Sequence, residues 1–238
     1  MAVNDLSFEI AAGSIVAMIG PNGAGKSTVF NLITGIYPPT AGAIELEGKS
    51  LTGMRTDCIA AGGIARTFQN IRLFAFMSAL DNVMTGRHSR MRASMFDSLV
   101  HTPRQRAEER SVRERSRDLL RFVGLERGAN DYARNLPYGS QRRLEIARAL
   151  ASEPKLLLLD EPGAGMNPRE KDDLLTLIRR IRERGVTIFL IEHDMNLVMT
   201  LSERVTVLDH GEKIAEGVPE AVRRDERVIE AYLGRPDV

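Results

Sequence analysis

The sequence predicts an α/β fold: a mainly parallel sheet with a small antiparallel β part and an inserted helical subdomain. Three observations carry that expectation. Apolar runs at 14–19, 156–160, 186–191 and 205–209 have the length and composition of buried strands. Segments of helical pattern lie between them, as crossovers between parallel strands require. The first run leads into Gly20-Pro21-Asn22-Gly23-Ala24-Gly25-Lys26-Ser27-Thr28, where two glycines frame four residues before Lys and Ser. That spacing is the pattern of a phosphate-binding loop between a strand and a helix.

The elements follow in order. Residues 6–10 and 43–47 alternate enough to read as strands around the loop. Residues 26–34 continue the loop as a helix, and 64–68 make a short strand. From 71 to 136 the texture turns helical, with candidate helices at 79–87, 91–100 and 104–123. The last mixes Arg with Glu and Asp, as in Glu109 and Arg113 at i,i+4 spacing, and lacks aromatics from 104 to 121. That is the pattern of a solvated helix face rather than a nucleic-acid surface. Residues 168–184 form an amphipathic helix, and 223–238 a polar helix with a tail. The whole of 1–238 reads as one domain, with a helical subdomain over about 71–152 inserted into the sheet domain.

Composition narrows the function. At 43% hydrophobic residues the chain can build a real core. A net charge of +1 creates no field that would select nucleic acid. Cys58 is the single cysteine, so no internal disulfide can form. No apolar run approaches the roughly 20 residues of a membrane-spanning helix, so a membrane role requires partners.

The chemistry-bearing residues suit a nucleotide. Glycines admit the dihedrals that turn backbone N–H groups inward around an anion. Lys26 offers a point charge for outer phosphates, Ser27 a hydroxyl for Mg²⁺, and the following helix its positive end. The strand 156–160 ends in Asp160-Glu161 and delivers carboxylates to the carboxyl edge of the sheet, where open α/β folds bind ligands. Asp160 suits Mg²⁺, and Glu161 suits an attacking water. Gln69 follows the strand 64–68, and His193 follows the strand 186–191. Singly these have plain readings: a surface glutamine, a structural histidine. The segment around Gly139 reads by itself as a loop capping a helix.

In this order the segments resemble the ATP-binding-cassette (ABC) ATPases over nearly the whole chain. The resemblance implies a P-loop NTPase fold of the ABC type, with a RecA-like core and ATP and Mg²⁺ as cofactors. It implies that residues 20–28 are the Walker A loop and that Gln69 is the Q-loop glutamine, which contacts Mg²⁺ and water. Asp160 then stands as Walker B, Glu161 as the catalytic glutamate and His193 as the switch histidine. Residues 137–141 stand at the signature motif, with Pro137, Tyr138 and Ser140 replacing the usual residues while Gly139 and Gln141 keep the pattern. Residues 163–167 occupy the D-loop, with Asn167 where Asp is usual.

The spellings Tyr-Gly-x-Gln-Arg-Arg-Leu-Glu from Tyr138, Ile-Glu-His-Asp-Met from Ile191 and Ile-Glu-Ala-Tyr-Leu-Gly from Ile229 are similar to ATPase subunits of branched-chain amino acid importers. The likeness implies a second ABC ATPase subunit, identical or related, and integral membrane permease subunits as partners. It implies a periplasmic solute-binding protein as an indirect one. It places the chain at the cytoplasmic face of the plasma membrane, held there through the permease. An ATPase for a related solute, or a regulatory subunit that hydrolyses weakly, is the alternative. The resemblance also puts an adenine-stacking aromatic upstream of residues 2–8, so the expectation is that this chain lacks that platform, with Phe8 in the core.

Overall fold

The computed structural model describes residues 2–87 and 103–233. Strand β1 (Ile15–Ile19) is wholly buried and runs through the glycine-rich turn into helix α1 (Lys26–Ile33). A two-residue pair, β2 (Glu45–Leu46) and β3 (Lys49–Ser50), forms a separate antiparallel hairpin. Helix α2 (Thr56–Gly62) leads into strand β4 (Ile64–Arg66). Helix α3 (Ala79–Gly86) starts on Ser78, whose hydroxyl accepts from the Asp81 amide. Helices α4 (Pro103–Phe122) and α5 (Tyr138–Leu150) follow, and α3 packs on both.

Strand β5 (Leu156–Asp160) precedes α6 (Pro168–Glu183), and β6 (Thr187–Ile191) precedes α7 (Met195–Leu201). Strands β7 (Arg204–Asp209) and β8 (Glu212–Gly217) close the sheet before the short α8 (Pro219–Val222) and α9 (Glu226–Leu233). The sheet order is β4-β5-β6-β1-β7-β8, parallel throughout except for β7 with β8. Consecutive residues alternate between two cores, as the period of a strand demands. Ile15, Ala17 and Ile19 join Leu157, Leu159 and Leu190 on the face covered by α5, α6 and α7. Val16 and Met18 join Leu158 and Phe189 on the face covered by α1.

The strands at 14–19, 186–191 and 64–68 are present but shorter by one or two residues, 156–160 is found with the same bounds, and 205–209 gains Arg204. Residues 6–10 are the correction: they form no strand. Leu6, Phe8 and Ile10 do pack on the α1-side core, and the Phe8 ring sits 5.4 Å from that of Phe189. The alternation therefore reports one buried side of an extended segment that no neighbouring strand pairs. Residues 43–47 shrink to β2, and β3, α2, α7 and the charged edge strand β8 were not anticipated. The candidate helix at 91–100 lies outside the described residues.

Candidate active site

The turn between β1 and α1 is built by glycine. Gly20 has φ +150°, and a Cβ there would lie 2.0 Å from the Leu208 carbonyl oxygen, so no side chain fits against β7. Gly25 precedes α1 in the left-handed region, and no side chain caps the helix. Its first N–H groups are thus left to serve an anion. The Lys26 ammonium donates to the carbonyls of Gly20 and Pro21 at 2.7 and 2.8 Å, which curls its chain back over the loop. Burial holds the Lys26 pKa below its usual value, while the charges of Glu161 and Asp160 oppose that shift.

Parallel pairing brings the remaining groups to the same edge. β5 and β6 are in register so that Asp160 lies beside Ile191, just before His193. Asp160 Oδ2 accepts from Arg66 at 2.8 Å, with both side chains nearly buried. Arg66 also donates to Asn31 Oδ1 on α1 at 2.7 Å and lies 5.2 Å from the Phe30 ring centre. This partner of Asp160 has no local sequence signal, because the pair spans 94 positions.

Glu161 has φ +45°, a conformation that costs a non-glycine residue about 1–3 kcal/mol. Its Oε2 accepts from Gln69 Nε2 at 3.0 Å, and His193 Nδ1 lies 3.6 Å from the same oxygen. A carboxylate held between an amide and an imidazole, near an ammonium, can take a proton from water beside a phosphate. Lys26, Gln69, Asp160, Glu161 and His193 are therefore gathered at one edge of the sheet.

Residues 137–141 form a second cluster. Gln141 Nε2 donates to the Leu136 carbonyl at 2.8 Å, and Ser140 Oγ accepts from Arg143 at 3.2 Å. Gly139 is buried against Glu170: a Cβ would meet Glu170 Oε1 at 2.5 Å. Tyr138 is exposed on one side, while its ring lies over Gly165. Asn167, the departure from the usual Asp, caps α6 by accepting from the Glu170 amide at 2.9 Å, and Glu170 returns the bond to the Asn167 amide. Asn serves this capping box as well as Asp does.

Two buried charged groups without a local sequence signal brace the site. Glu192 is almost fully buried and accepts from the amides of Gly163, His193 and Asp194 at 2.8, 3.1 and 3.4 Å. It ties the turn after Glu161 to the turn that carries His193. Arg142, also buried, donates to the carbonyls of Phe68 and Gln69. Both sit inside quoted motifs, yet Gly163, Phe68 and Gln69, the partners that make them matter, are distant in sequence.

The family model described as ABC transporter matches residues 3–164. The chain belongs to the ABC transporter family. It is an ATPase whose hydrolysis is coupled to transport. Residues 212–238 of this cassette also match the model described as branched-chain amino acid ATP-binding cassette transporter. The cassette is 46% identical over 235 residues to the high-affinity branched-chain amino acid transport ATP-binding protein BraF of Pseudomonas aeruginosa, covering 98% of this chain and 92% of that protein. A crystal structure of a nucleotide-free ATP-binding cassette from an ABC transporter superposes with a TM-score of 0.85 at 31% identity, over 98% of this chain and 93% of that one. A dimeric cassette in a post-hydrolysis state bound to ADP and Pi matches with a TM-score of 0.77 at 28% identity, over 92% of this chain and 90% of that one.

Proposed function

We propose that this chain is the ATP-hydrolysing subunit of an importer for branched-chain amino acids. The observation that carries the enzymatic part is the Gln69–Glu161–His193 cluster beside the Lys26 loop. The likeness to BraF and the match over 212–238 support the solute.

In this reading the loop 20–28 and the first turn of α1 cradle the ATP phosphates, and Lys26 leaves the Gly20 and Pro21 carbonyls for the outer ones. Ser27, Gln69 and Asp160 form an all-oxygen donor set of the kind Mg²⁺ takes. Bound there, the ion would neutralise charge on the phosphates. Glu161 orients the water, and His193 donates toward the γ-phosphate. Catalysis is positioning and charge neutralisation. A second cassette, identical or related, supplies residues 137–141 and the positive end of α5 to the same ATP. Helices α3, α4 and α5 belong to a helical subdomain over about 71–152.

Among the described residues no helix is long and apolar enough to cross a membrane. The permease contact is placed on the segment after Gln69, where Phe74 and Phe76 are 52% and 74% exposed. The Arg134 guanidinium lies over the Phe76 ring, 4.6 Å from its centre. An apolar helix of the permease fits such a surface, at the cytoplasmic face of the membrane.

The deciding experiment is Glu161→Gln in the purified chain. ATP binding persists, hydrolysis falls at least about a hundredfold, ATP-held dimers accumulate, and cells with only this copy lose leucine uptake. Turnover near the wild-type rate would sink the assignment.

A further inference from the structure

The Arg142 side chain has no exposed surface, and it heads the fully buried residues by volume. Its guanidinium spans two elements. Nη1 donates to the Phe68 carbonyl at 2.6 Å and to Glu145 Oε2 at 2.9 Å. Nη2 donates to the Gln69 carbonyl at 2.8 Å and to the Tyr138 hydroxyl at 3.3 Å. Glu145, equally buried, accepts from the Arg72 amide at 3.3 Å through Oε1. One ion pair on α5 therefore grips the main chain of the Gln69 turn at three residues: 68, 69 and 72.

We propose that Arg142 is a positioning residue: it fixes the Gln69 backbone so that the Gln69 amide meets Glu161, and it makes the Gln69 turn and α5 move as one body. The inference deepens the ATPase reading and rests on it. The planar fork of a guanidinium can hold two successive carbonyls at once, whereas an ammonium is a single point of charge. The Gln69 side chain springs from the gripped residue and donates to Glu161 Oε2 at 3.0 Å. The same guanidinium reaches Tyr138, whose ring lies over Gly165, so the turn after Glu161 adjoins the clasp as well.

Stability alone is a poor reason for this arrangement. Burying a charged pair costs several kcal/mol of hydration per ion, and apolar residues of like volume often replace such pairs without loss. An apolar pair would fill the space but leave the Phe68 and Gln69 carbonyls without their fixed donor. Orientation of the turn is what it would lose.

The test uses the full chain in six forms: wild type, Arg142→Lys, and Arg142→Met combined with Glu145→Leu, each with and without Gln69→Ala. The Met/Leu form is expected to keep its unfolding midpoint and its ATP affinity within about twofold. Its kcat is expected to fall about 10- to 100-fold, the range for misplacing a catalytic group by an ångström. Gln69→Ala lowers kcat in the wild-type background and adds no further loss in the Met/Leu background. Arg142→Lys recovers part of the rate.

Three outcomes overturn the proposal: an unchanged kcat, an equal Gln69→Ala loss in both backgrounds, or ATP affinity falling by the same factor as kcat. If the Met/Leu form does not fold, Arg142→Lys decides, because a wild-type kcat there removes the need for the fork. Hydrolysis by the wild-type chain and its loss in Glu161→Gln test the ATPase reading separately.

Discussion

Two helices of this cassette carry an arginine–carboxylate pair at i,i+3 spacing in opposite settings. In α4, Arg121 meets Asp118 three residues back at 2.8 Å, and both side chains are more than half exposed. In α5, Arg142 meets Glu145 three residues on at 2.9 Å, and neither has meaningful exposure. The spacing and chemistry are alike. Around the first pair, water and salt compete for both charges, and an alternative partner, Glu126, lies 2.7 Å from the same arginine. Around the second, hydration is gone: the two Nη groups of Arg142 are bonded to protein oxygens, while its Nε has no partner. Helical spacing fixes which groups can meet. The surrounding dielectric fixes what that meeting is worth.

Burial sets the expected size of three mutational effects on such pairs. The largest effect is expected from Glu145→Ala. It strands the Arg142 charge in the interior with only carbonyls and a phenol, and removal of one member of a buried pair costs about 3–5 kcal/mol. Urea denaturation reads this directly, and a loss below about 1 kcal/mol would show that α5 tolerates its charge as a surface does.

An intermediate effect is expected at Lys171 and Asp194, which pair at 2.6 Å with side chains 34% and 24% exposed. The bond from Lys171, helped by amides at the start of α7, holds the Asp194 carboxyl below its usual range. A carboxyl depressed in the folded state contributes its stability above the unfolded value of about 4. That contribution disappears as pH falls through the lower folded value. Asp194→Asn should therefore be less stable than wild type at pH 7 and converge with it in acid. A difference that stays constant with pH would mean that the charge plays no part there.

The smallest effect belongs to Asp118→Ala. The unfolding midpoint should not move at low or high salt. A salt-dependent drop would place the α4 pair closer to the α5 one than its exposure allows.

The same division explains how much of the site was legible. The loop 20–28 is dictated by local backbone chemistry, so its place between β1 and α1 follows from the sequence. Asp160 and Glu161 were legible because an apolar strand has a carboxyl end, and ligands gather there. Asn167 shows a subtler case: it departs from the usual Asp, and the structure makes it a helix cap, a role open to either residue. Residues 6–10 show the reverse, since alternation revealed a buried side but could not supply a partner strand.

Local residue patterns suffice for the parallel α/β class, the phosphate loop, the carboxylate edge and the solvated character of α4. Each rests on neighbours within a turn or a strand. It takes the packed layers to bring Arg66 to Asp160, to let Glu192 join the Gly163 and His193 turns, and to let Arg142 grip the Gln69 turn. Those bonds span roughly 30 to 94 positions, apart from the adjacent Glu192 and His193. Their strength comes from burial, a property of the assembled layers that no local pattern of residues encodes.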